Sequence, residues 1–124
     1  MRLLLDTHSL LWALDGSLSK LSPSEVTVIS DCNNIVCIST ASLWELSIKL
    51  SIGKLTLPEN FFTVITSIGY EILDIKIHHI IEYASFPLIH RDPFDRILIA
   101  QARCEGLILV SHDELIKSYD VQVL

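Results

Sequence analysis

Short apolar runs alternate along the chain with longer segments in which apolar residues recur at helical spacing. The runs predict five strands, at residues 3–5, 35–38, 72–73, 107–110 and 121–124. Between the runs, periodicity and helix start and stop signals predict helices. An alternation of short strands and helices is typical of a parallel sheet covered by helices, so we expect an α/β fold.

Capping residues, proline and glycine mark the helix boundaries. We expect Ser22 to cap one helix, with Pro23 in its first turn and Glu25 completing a capping box. Gly106 follows the end of another predicted helix. The predicted helices lie at residues 7–14, 23 onward, 39 or 40 to 50, 58 onward, 78–84, 92–104 and 111 onward.

The composition restricts the classes of protein that fit. With 124 residues, the chain is expected to form a single domain over residues 1–124. Its 9 Lys and Arg against 15 Asp and Glu give a net charge of −6. That balance argues against a general nucleic-acid coat protein, because phosphate binding is built mainly from Lys and Arg. Charged residues make up 19% of the chain, below the roughly 25% of soluble domains, so we expect an apolar patch for a partner or a second copy.

Membrane and export signals are not predicted. The longest stretch without Asp, Glu, Lys, Arg or His is the 13 residues Cys32–Trp44, whereas a membrane span needs about 20 mostly apolar residues. The apolar run that ends at Leu5 is too short to predict a signal peptide. The three cysteines have no CxxC spacing. We expect them to be buried thiols in a reducing cytosol, and the protein to be cytoplasmic.

Carboxylates occur where the predicted fold makes them unusual. Asp6 directly follows an apolar strand, and Asp113 lies three residues beyond the strand that ends at Val110. Chemistry in an open α/β sheet gathers at the carboxyl ends of its strands. Asp95 and Glu45 lie at helical spacing from apolar residues, so both are predicted to face the core, where an unpaired carboxylate is costly.

Each acid also has an ordinary structural role. Asp6 can cap a helix, and Glu45 can pair with Lys49 at i,i+4. The Asp95 carboxylate can bond back to an Asp92 cap. Asp113 can lie within a capping box of Ser111 and Glu114, where the helix dipole favours its charge. The functional interpretation therefore depends on all four acids lying at one end of one sheet.

Convergence of these acids would restrict the chemistry. Four close carboxylates cannot all stay ionised unaided, and a hard divalent cation resolves their repulsion. Mg²⁺ prefers oxygen ligands and keeps several waters. Such an ion can activate a water for in-line phosphoryl displacement. No Cys or His lies at zinc spacing near the acids, so zinc is not expected.

Five segments carry a resemblance to a known family. They are Leu4–His8, Ser42–Leu46, Gly53–Leu55, His90–Arg96 and Val110–Glu114, with Asp-Pro-Phe-Asp-Arg the most specific run. Together they resemble a PIN domain, in particular the VapC-type toxins of bacterial toxin–antitoxin pairs. The resemblance extends over residues 2–124.

The resemblance implies a three-layer α/β/α sandwich around a five-stranded parallel sheet of order 3-2-1-4-5. It also implies a Mg²⁺- or Mn²⁺-dependent endoribonuclease. The family's acidic quartet falls on Asp6, Glu45, Asp95 and Asp113. The first, third and fourth of these would hold the metal, and Glu45 would complete the shell or position the attacking water. Supporting roles are expected for Asp92 and for Ser111, which stands where relatives usually have Thr.

Basic residues near the site segments are candidates for an RNA track. We predict Arg96, Arg91 and Lys49 in that role, with Arg96 contacting a phosphate. Three histidines also lie beside these segments, but a metal mechanism does not need them, and we leave them out of the catalytic set. The resemblance further implies a homodimer and a cognate antitoxin whose tail covers the site.

Other functions were weighed against the same residues. A signalling receiver domain would explain Asp74 at the end of a strand, but it needs paired acids after the first strand and a Lys after the fifth. A phosphatase of the DxD type needs an acid where His8 stands. A catalytically silent PIN-like binding module is separated from a nuclease only by assay.

Overall fold

Four parallel strands form a sheet in the computed structural model, which describes residues 1–15 and 17–124 and, at position 18, the backbone only. The strands are β1 Arg2–Leu5, β2 Ile35–Ser39, β3 Glu71–Leu73 and β4 Ile108–Val110. Their order is β3-β2-β1-β4, and all three pairings are parallel. This confirms the predicted parallel sheet and its first four positions.

The predicted fifth strand is reduced to a single parallel bridge between Leu109 and Val123. The Leu109 N–H donates to the Gln122 carbonyl at 2.9 Å, and the Leu124 N–H donates to the Leu109 carbonyl at 3.0 Å. The segment thus lies beside β4, as predicted. The sheet of the described residues nevertheless has four strands and not five, because a helical turn at residues 114–118 leaves few residues to pair.

The helices between the strands begin and end close to the predicted signals. Within the described residues they are α1 Thr7–Leu14, α2 Pro23–Ser30, α3 Thr40–Ser51, α4 Phe61–Ser67, α5 Ile77–Ala84 and α6 Pro93–Glu105. Short 3-10 helices span Leu18–Lys20 and Glu114–Ser118. Ser22 caps α2 by accepting the Glu25 N–H at 3.1 Å. Gly106, with a φ of +66°, ends α6 in the left-handed conformation that favours glycine. None of these helices is both long and apolar enough to cross a bilayer.

Helices cover both faces of the sheet, and β1 shows how. Successive side chains of a strand point to opposite faces, so Leu3 and Leu5 pack in one apolar cluster and Leu4 in the other. The first cluster includes α1, α3 and α4, and the second is built largely from α6. All three leucines are fully buried, as expected of a central strand in a three-layer sandwich.

A buried histidine joins α5 to α6. The His79 side chain is fully buried, and its Nδ1 accepts the Lys76 N–H at 2.9 Å. In the neutral ring the proton then lies on Nε2, which donates to Glu105 Oε1 at 2.8 Å. His78 approaches the same oxygen at 2.9 Å, and these hydrogen bonds lower the pKa of Glu105. The His79–Glu105 hydrogen bond therefore ties α5 to α6.

Replacing Glu105 should therefore destabilise the fold. Glu105→Ala leaves the buried Nε2–H of His79 without a partner, which costs about 1–3 kcal/mol. We expect a lower urea midpoint for unfolding. Glu114→Ala is the matched control, because Glu114 pairs with Lys117 while 82% of its side chain is exposed. Equal midpoints for the two variants would contradict the role given to Glu105.

Candidate active site

Hydrogen bonds join the carboxyl ends of β1 and β4 at Asp6. The Asp6 N–H donates to the Val110 carbonyl at 3.1 Å. Ser9 Oγ donates to the same carbonyl at 3.2 Å. Because the two strands are parallel neighbours, residues that follow them meet at one edge of the sheet.

A cavity of about 470 Å³ opens at this edge. All four predicted catalytic acids line it, together with the predicted supporting residue Asp92. The lining residues are Asp6, Thr7, His8, Trp12, Glu45, His90, Asp92, Asp95, His112 and Asp113. The acids come from four separate segments of the chain, and the fold brings them into one depression.

Asp6 has both roles that the sequence suggests. Its side chain caps α1, because Oδ1 accepts the Ser9 N–H at 2.8 Å. The residue is buried, yet it lines the cavity. The cap occupies one carboxylate oxygen, and Oδ2 has no hydrogen-bond partner among the described residues. Capping therefore fixes the orientation of the carboxylate without consuming its second oxygen.

Glu45 is held between two partners. Thr7 Oγ1 donates to its Oε1 at 2.6 Å, and Lys49 Nζ lies 3.4 Å from its Oε2. The second contact confirms the predicted i,i+4 pair. Lys49 is thus paired with an acid of the site and does not itself line the cavity.

His90 joins two of the acids, and sequence reasoning left it out. Its Nε2 lies 2.9 Å from Asp95 Oδ2 and 2.9 Å from Asp113 Oδ2. Its Nδ1 accepts the Asp92 N–H at 3.3 Å, which assigns the proton of the neutral ring to Nε2. The imidazole N–H is therefore shared by the two carboxylates. The sequence feature that could have identified His90 is its position two residues before Asp92, the residue that caps α6.

Two contacts outside the cluster hold the His90 and Asp113 backbones. The His90 N–H donates to the Tyr119 hydroxyl at 2.8 Å, which ties the loop before α6 to the segment after β4. Ser111 is buried, and its Oγ accepts the Asp113 N–H at 3.2 Å. Ser111 does not line the cavity, but it shapes the turn that presents Asp113.

Asp95 lies in an environment that disfavours its charge. Burial is the largest cause, and the neighbouring charges of Asp92 and Asp6 add to it. His90 opposes these effects, but the pKa of Asp95 is still raised to about 7 from its ordinary value of 3.8. A nearby cation would lower that pKa by favouring the ionised carboxylate.

The donor set fits a hard divalent cation. Asp95, Asp113 and His90 each offer a ligand atom, and these atoms lie within 4.8 Å of one another. Asp6 adds a buried carboxylate on the same cavity. Carboxylate oxygens are the ligands that Mg²⁺ and Mn²⁺ prefer. The protonated Nε2 makes His90 a donor to the acids, so we assign the metal-holding role to oxygen atoms.

Arg96 does not lie where we predicted it. Its guanidinium is buried 4.6 Å from the centre of the Tyr83 ring, and it donates to the Phe86 carbonyl at 3.3 Å. One residue along a helix turns the side chain by about 100°, so Arg96 points away from Asp95 and toward α5. We therefore remove it from the RNA track. Arg91 is exposed beside Asp92.

Three predicted local bonds are replaced by others. The Ser111–Glu114 capping box does not form, because Asp113 itself caps the 3-10 helix by accepting the Leu115 N–H at 3.0 Å. The Asp95 N–H donates to Asp92 Oδ1 at 3.4 Å, but the Asp95 carboxylate does not bond back to Asp92, since it faces His90. The Glu25 carboxylate likewise contacts His112 at 2.8 Å.

A comparison with models of known families gives a match over most of the chain. The family model of the PIN domain matches residues 3–122. No curated protein sequence matches the chain.

Solved structures share the fold at low sequence identity. VapBC2 from Rickettsia felis, bound to a DNA fragment from their promoter, has a TM-score of 0.71 and 19% identity, covering 100% of this chain and 97% of that chain. DNA-bound VapBC from Salmonella typhimurium has a TM-score of 0.70 and 18% identity, with the same 100% and 97% coverage. VapBC-1 from nontypeable Haemophilus influenzae has a TM-score of 0.64 and 18% identity, again covering 100% and 97%.

The raised pKa of Asp95 predicts how stability depends on pH without metal. Below 3.8, its ordinary pKa, Asp95 is neutral in both the folded and the unfolded chain, and its burial does not lower the free energy of unfolding. As the pH rises toward about 7, the unfolded chain ionises Asp95 more readily than the folded chain does, so the free energy of unfolding falls. We expect the melting temperature of the metal-free protein to fall between about pH 4 and pH 7 for this reason. Asp95→Asn, which cannot ionise, should flatten this dependence by an amount on the order of a few kcal/mol.

The control for this measurement is an exposed carboxylate. Asp120→Asn changes the same chemical group at an exposed position, and its melting curve should keep the pH dependence of the unchanged protein. Parallel curves for Asp95→Asn and the unchanged protein would show that Asp95 does not carry the effect.

Proposed function

The chain belongs to the PIN domain family, and we propose that it is a metal-dependent endoribonuclease that acts as the toxin of a toxin–antitoxin pair. One observation carries the proposal: carboxylates from four separate segments line a single cavity at the carboxyl edge of the sheet. A cluster of this kind destabilises the fold unless its charge is offset, so its presence indicates a function for the charge.

The metal would be held by Asp6, Asp95 and Asp113. Bound there, Mg²⁺ or Mn²⁺ supplies a Lewis acid that lowers the pKa of a coordinated water and stabilises a leaving oxygen. The Asp6 carboxylate is oriented by its cap on α1, and Asp113 is oriented by its bond to the Leu115 N–H. The chain therefore fixes these ligands before any ion arrives.

Glu45 would orient the attacking water and accept its proton. The Thr7 hydroxyl and the Lys49 ammonium hold its carboxylate at the cavity edge. Asp92 acts one step away, because its Oδ1 accepts the Phe94 N–H at 2.9 Å and so fixes the first turn that carries Asp95. Ser111 holds the Asp113 turn.

Hydrolysis by water determines the ends of the product. In the proposed reaction an oxygen of water, and not the ribose 2′-hydroxyl, attacks phosphorus, and the bond from phosphorus to the 3′-oxygen breaks. The 3′-oxygen leaves and takes up a proton, so the fragments would carry a 5′-phosphate and a 3′-hydroxyl. Exposed Arg91 and the ion-paired Lys49 are the remaining candidates for contacts with RNA phosphates.

The family match sets aside the receiver-domain alternative. A catalytically silent binding module stays the alternative for the assay to decide.

The proposal includes protein partners. The compared structures are named as VapBC assemblies, which supports an antitoxin that binds this chain and covers the acidic cavity.

We also propose that the chain works in the cytoplasm. The described cysteines are all free, as expected in a reducing compartment, although Cys32 and Cys104 are exposed where we predicted buried thiols.

A second copy of the chain is proposed to cover α5. The outward face of this helix carries Ile77, Ile80 and Ile81, which are 77%, 55% and 66% exposed. Its inward face instead carries the buried His79. An amphipathic helix with its apolar side toward solvent is typical of a face buried in an assembly.

Removing a metal ligand should abolish RNA cleavage. Asp6→Asn keeps the helix cap, because Asn caps as well as Asp, but it removes a negative ligand. With total RNA and Mg²⁺, we expect cleavage by Asp6→Asn and Asp95→Asn to fall by about a hundredfold or more. Chelation of the metal should have the same effect on the unchanged protein. Product ends are read by their susceptibility to a 5′-phosphate-dependent exonuclease.

The matched control is Glu59→Gln, which neutralises an exposed acid outside the cavity and should leave cleavage unchanged. A product with a 2′,3′-cyclic phosphate would contradict attack by water. If the pure protein leaves RNA intact with either Mg²⁺ or Mn²⁺, the silent binding module is the better reading.

Charging the outward face of α5 should separate the two copies. Ile81→Glu places a carboxylate in the proposed interface, where its burial is unfavourable. We expect light scattering to give the mass of a dimer for the unchanged protein and of a monomer for this variant. Ile52→Glu is the control, because Ile52 is 59% exposed but lies at the end of α3. Dissociation by both variants, or by neither, would argue against α5 as the interface.

A further inference from the structure

Besides His90, three aromatic rings line the acidic cavity, and the metal chemistry does not use them. The rings of His8 and Trp12 are stacked, with centroids 5.8 Å apart and planes 20° apart. The ring of His112 meets Trp12 edge-on, with centroids 5.3 Å apart. All three residues line the same cavity as the carboxylates. We call His8, Trp12 and His112 the ring cluster.

Contacts with α1 and α2 hold the ring cluster in place. His8 and Trp12 lie four residues apart on α1, so their side chains are neighbours on one face of the helix. Glu25, buried on α2, places both carboxylate oxygens 2.8 Å from His112 Nε2. Glu25 thus orients the ring of His112, and this contact takes the place of the capping box predicted for α2.

Packing alone does not account for these rings. His8 and His112 are both exposed, and Trp12 is half-buried. An imidazole at the surface contributes little to a core, yet here two of them flank an indole on the wall of a site. A group of rings that is already ordered, beside a cluster of metal ligands, offers ring faces and edges on which a flat ligand can pack.

The cavity also needs a source of affinity other than positive charge. No Lys or Arg is among the described residues that line it. Lys49 is paired with Glu45, and Arg96 is buried against Tyr83. A bound metal can hold one phosphate, but an RNA strand on this acidic surface requires further attraction. Stacking of bases on aromatic rings provides it without positive charge, and for every base.

We propose that the ring cluster is a stacking subsite for an unpaired nucleobase, next to the phosphate that a metal ion held by Asp6, Asp95 and Asp113 would bind. This inference rests on the proposed nuclease function and names the residues that would hold one base of the bound RNA. A base in a duplex is stacked on both sides and cannot reach the rings, whereas an unpaired base can.

The test compares RNAs that differ by a single base. Fluorescein-labelled hexanucleotides, one intact and six others each with an abasic residue at a different position, are titrated with the unchanged protein. Anisotropy is measured with Ca²⁺ in place of Mg²⁺, and the RNA is checked on a gel afterward. We expect the loss of the base at one position to raise the Kd about tenfold, and the losses elsewhere to change it little.

Variants then show whether the ring cluster causes this difference. Trp12→Ala should bind the intact and the abasic RNA with equal Kd, while Trp12→Phe, which keeps a flat ring, should restore most of the difference. His8→Ala, at an exposed position that tolerates substitution, should reduce the difference even if Trp12→Ala unfolds. Trp44→Ala is the control, because Trp44 is 61% exposed but lies outside the cavity, and the difference should persist in it.

The outcomes separate this inference from the function on which it rests. If RNA is cleaved but every abasic hexanucleotide binds like the intact one, or none binds measurably, the stacking subsite is wrong and the nuclease stands. If the base dependence is present and lost in Trp12→Ala while no divalent ion supports cleavage, the subsite stands and the nuclease is wrong. An equal effect of Trp44→Ala and Trp12→Ala would also overturn the assignment.

Discussion

Electrostatic repulsion between carboxylates that the fold itself brings together is the constraint on which this structure depends. At 4 Å, two like charges near a protein surface repel by about 4 kcal/mol. Here Asp95 and Asp113 present oxygens within 4.8 Å of each other, and Asp6 and Asp92 add charge nearby. A fold whose stability is marginal must offset this repulsion with nearby donors or with a bound cation.

Backbone and side-chain donors offset part of the repulsion. Asp6 and Asp113 each accept an N–H at the start of a helical turn, where negative charge is favoured. His90 shares one N–H between Asp95 and Asp113. Asp95 is left with a pKa of about 7, because its burial exceeds what the imidazole offsets. The same contacts that make the cluster tolerable also fix its geometry, and for that reason structural and catalytic roles coincide at these acids.

The sequence predicted those features whose position in the fold is determined by neighbouring residues in the chain. A carboxylate at or shortly after the end of an apolar strand lies at the carboxyl edge of a parallel sheet, and this rule predicts the positions of Asp6 and Asp113 from the sequence. The strand order of the four strands followed from the family resemblance. Local spacing also gave the Asp92 and Ser22 caps and the Glu45–Lys49 pair.

The missed features depend on contacts between distant parts of the chain. No sequence spacing predicts the contact between Glu25 and His112, or the contacts of His90 with Asp95 and Asp113. Arg96 was misplaced because adjacency in sequence to Asp95 was treated as adjacency in space, although neighbouring helical residues point in different directions. The fifth strand was overestimated because apolar residues predict burial more reliably than they predict pairing.

The distribution of positive charge links the fold to recognition. Arg96 and Arg103 both lie over aromatic rings of the α5–α6 side, and Arg103 also pairs with Glu82. These cations stabilise the packing of two helices and are therefore unavailable to a polyanion. Because no Lys or Arg lines the acidic cavity among the described residues, an RNA strand held there would obtain most of its affinity from a divalent ion and from uncharged contacts. Such a site loses less affinity as salt rises than one built on Lys and Arg, because it releases fewer counterions from the RNA.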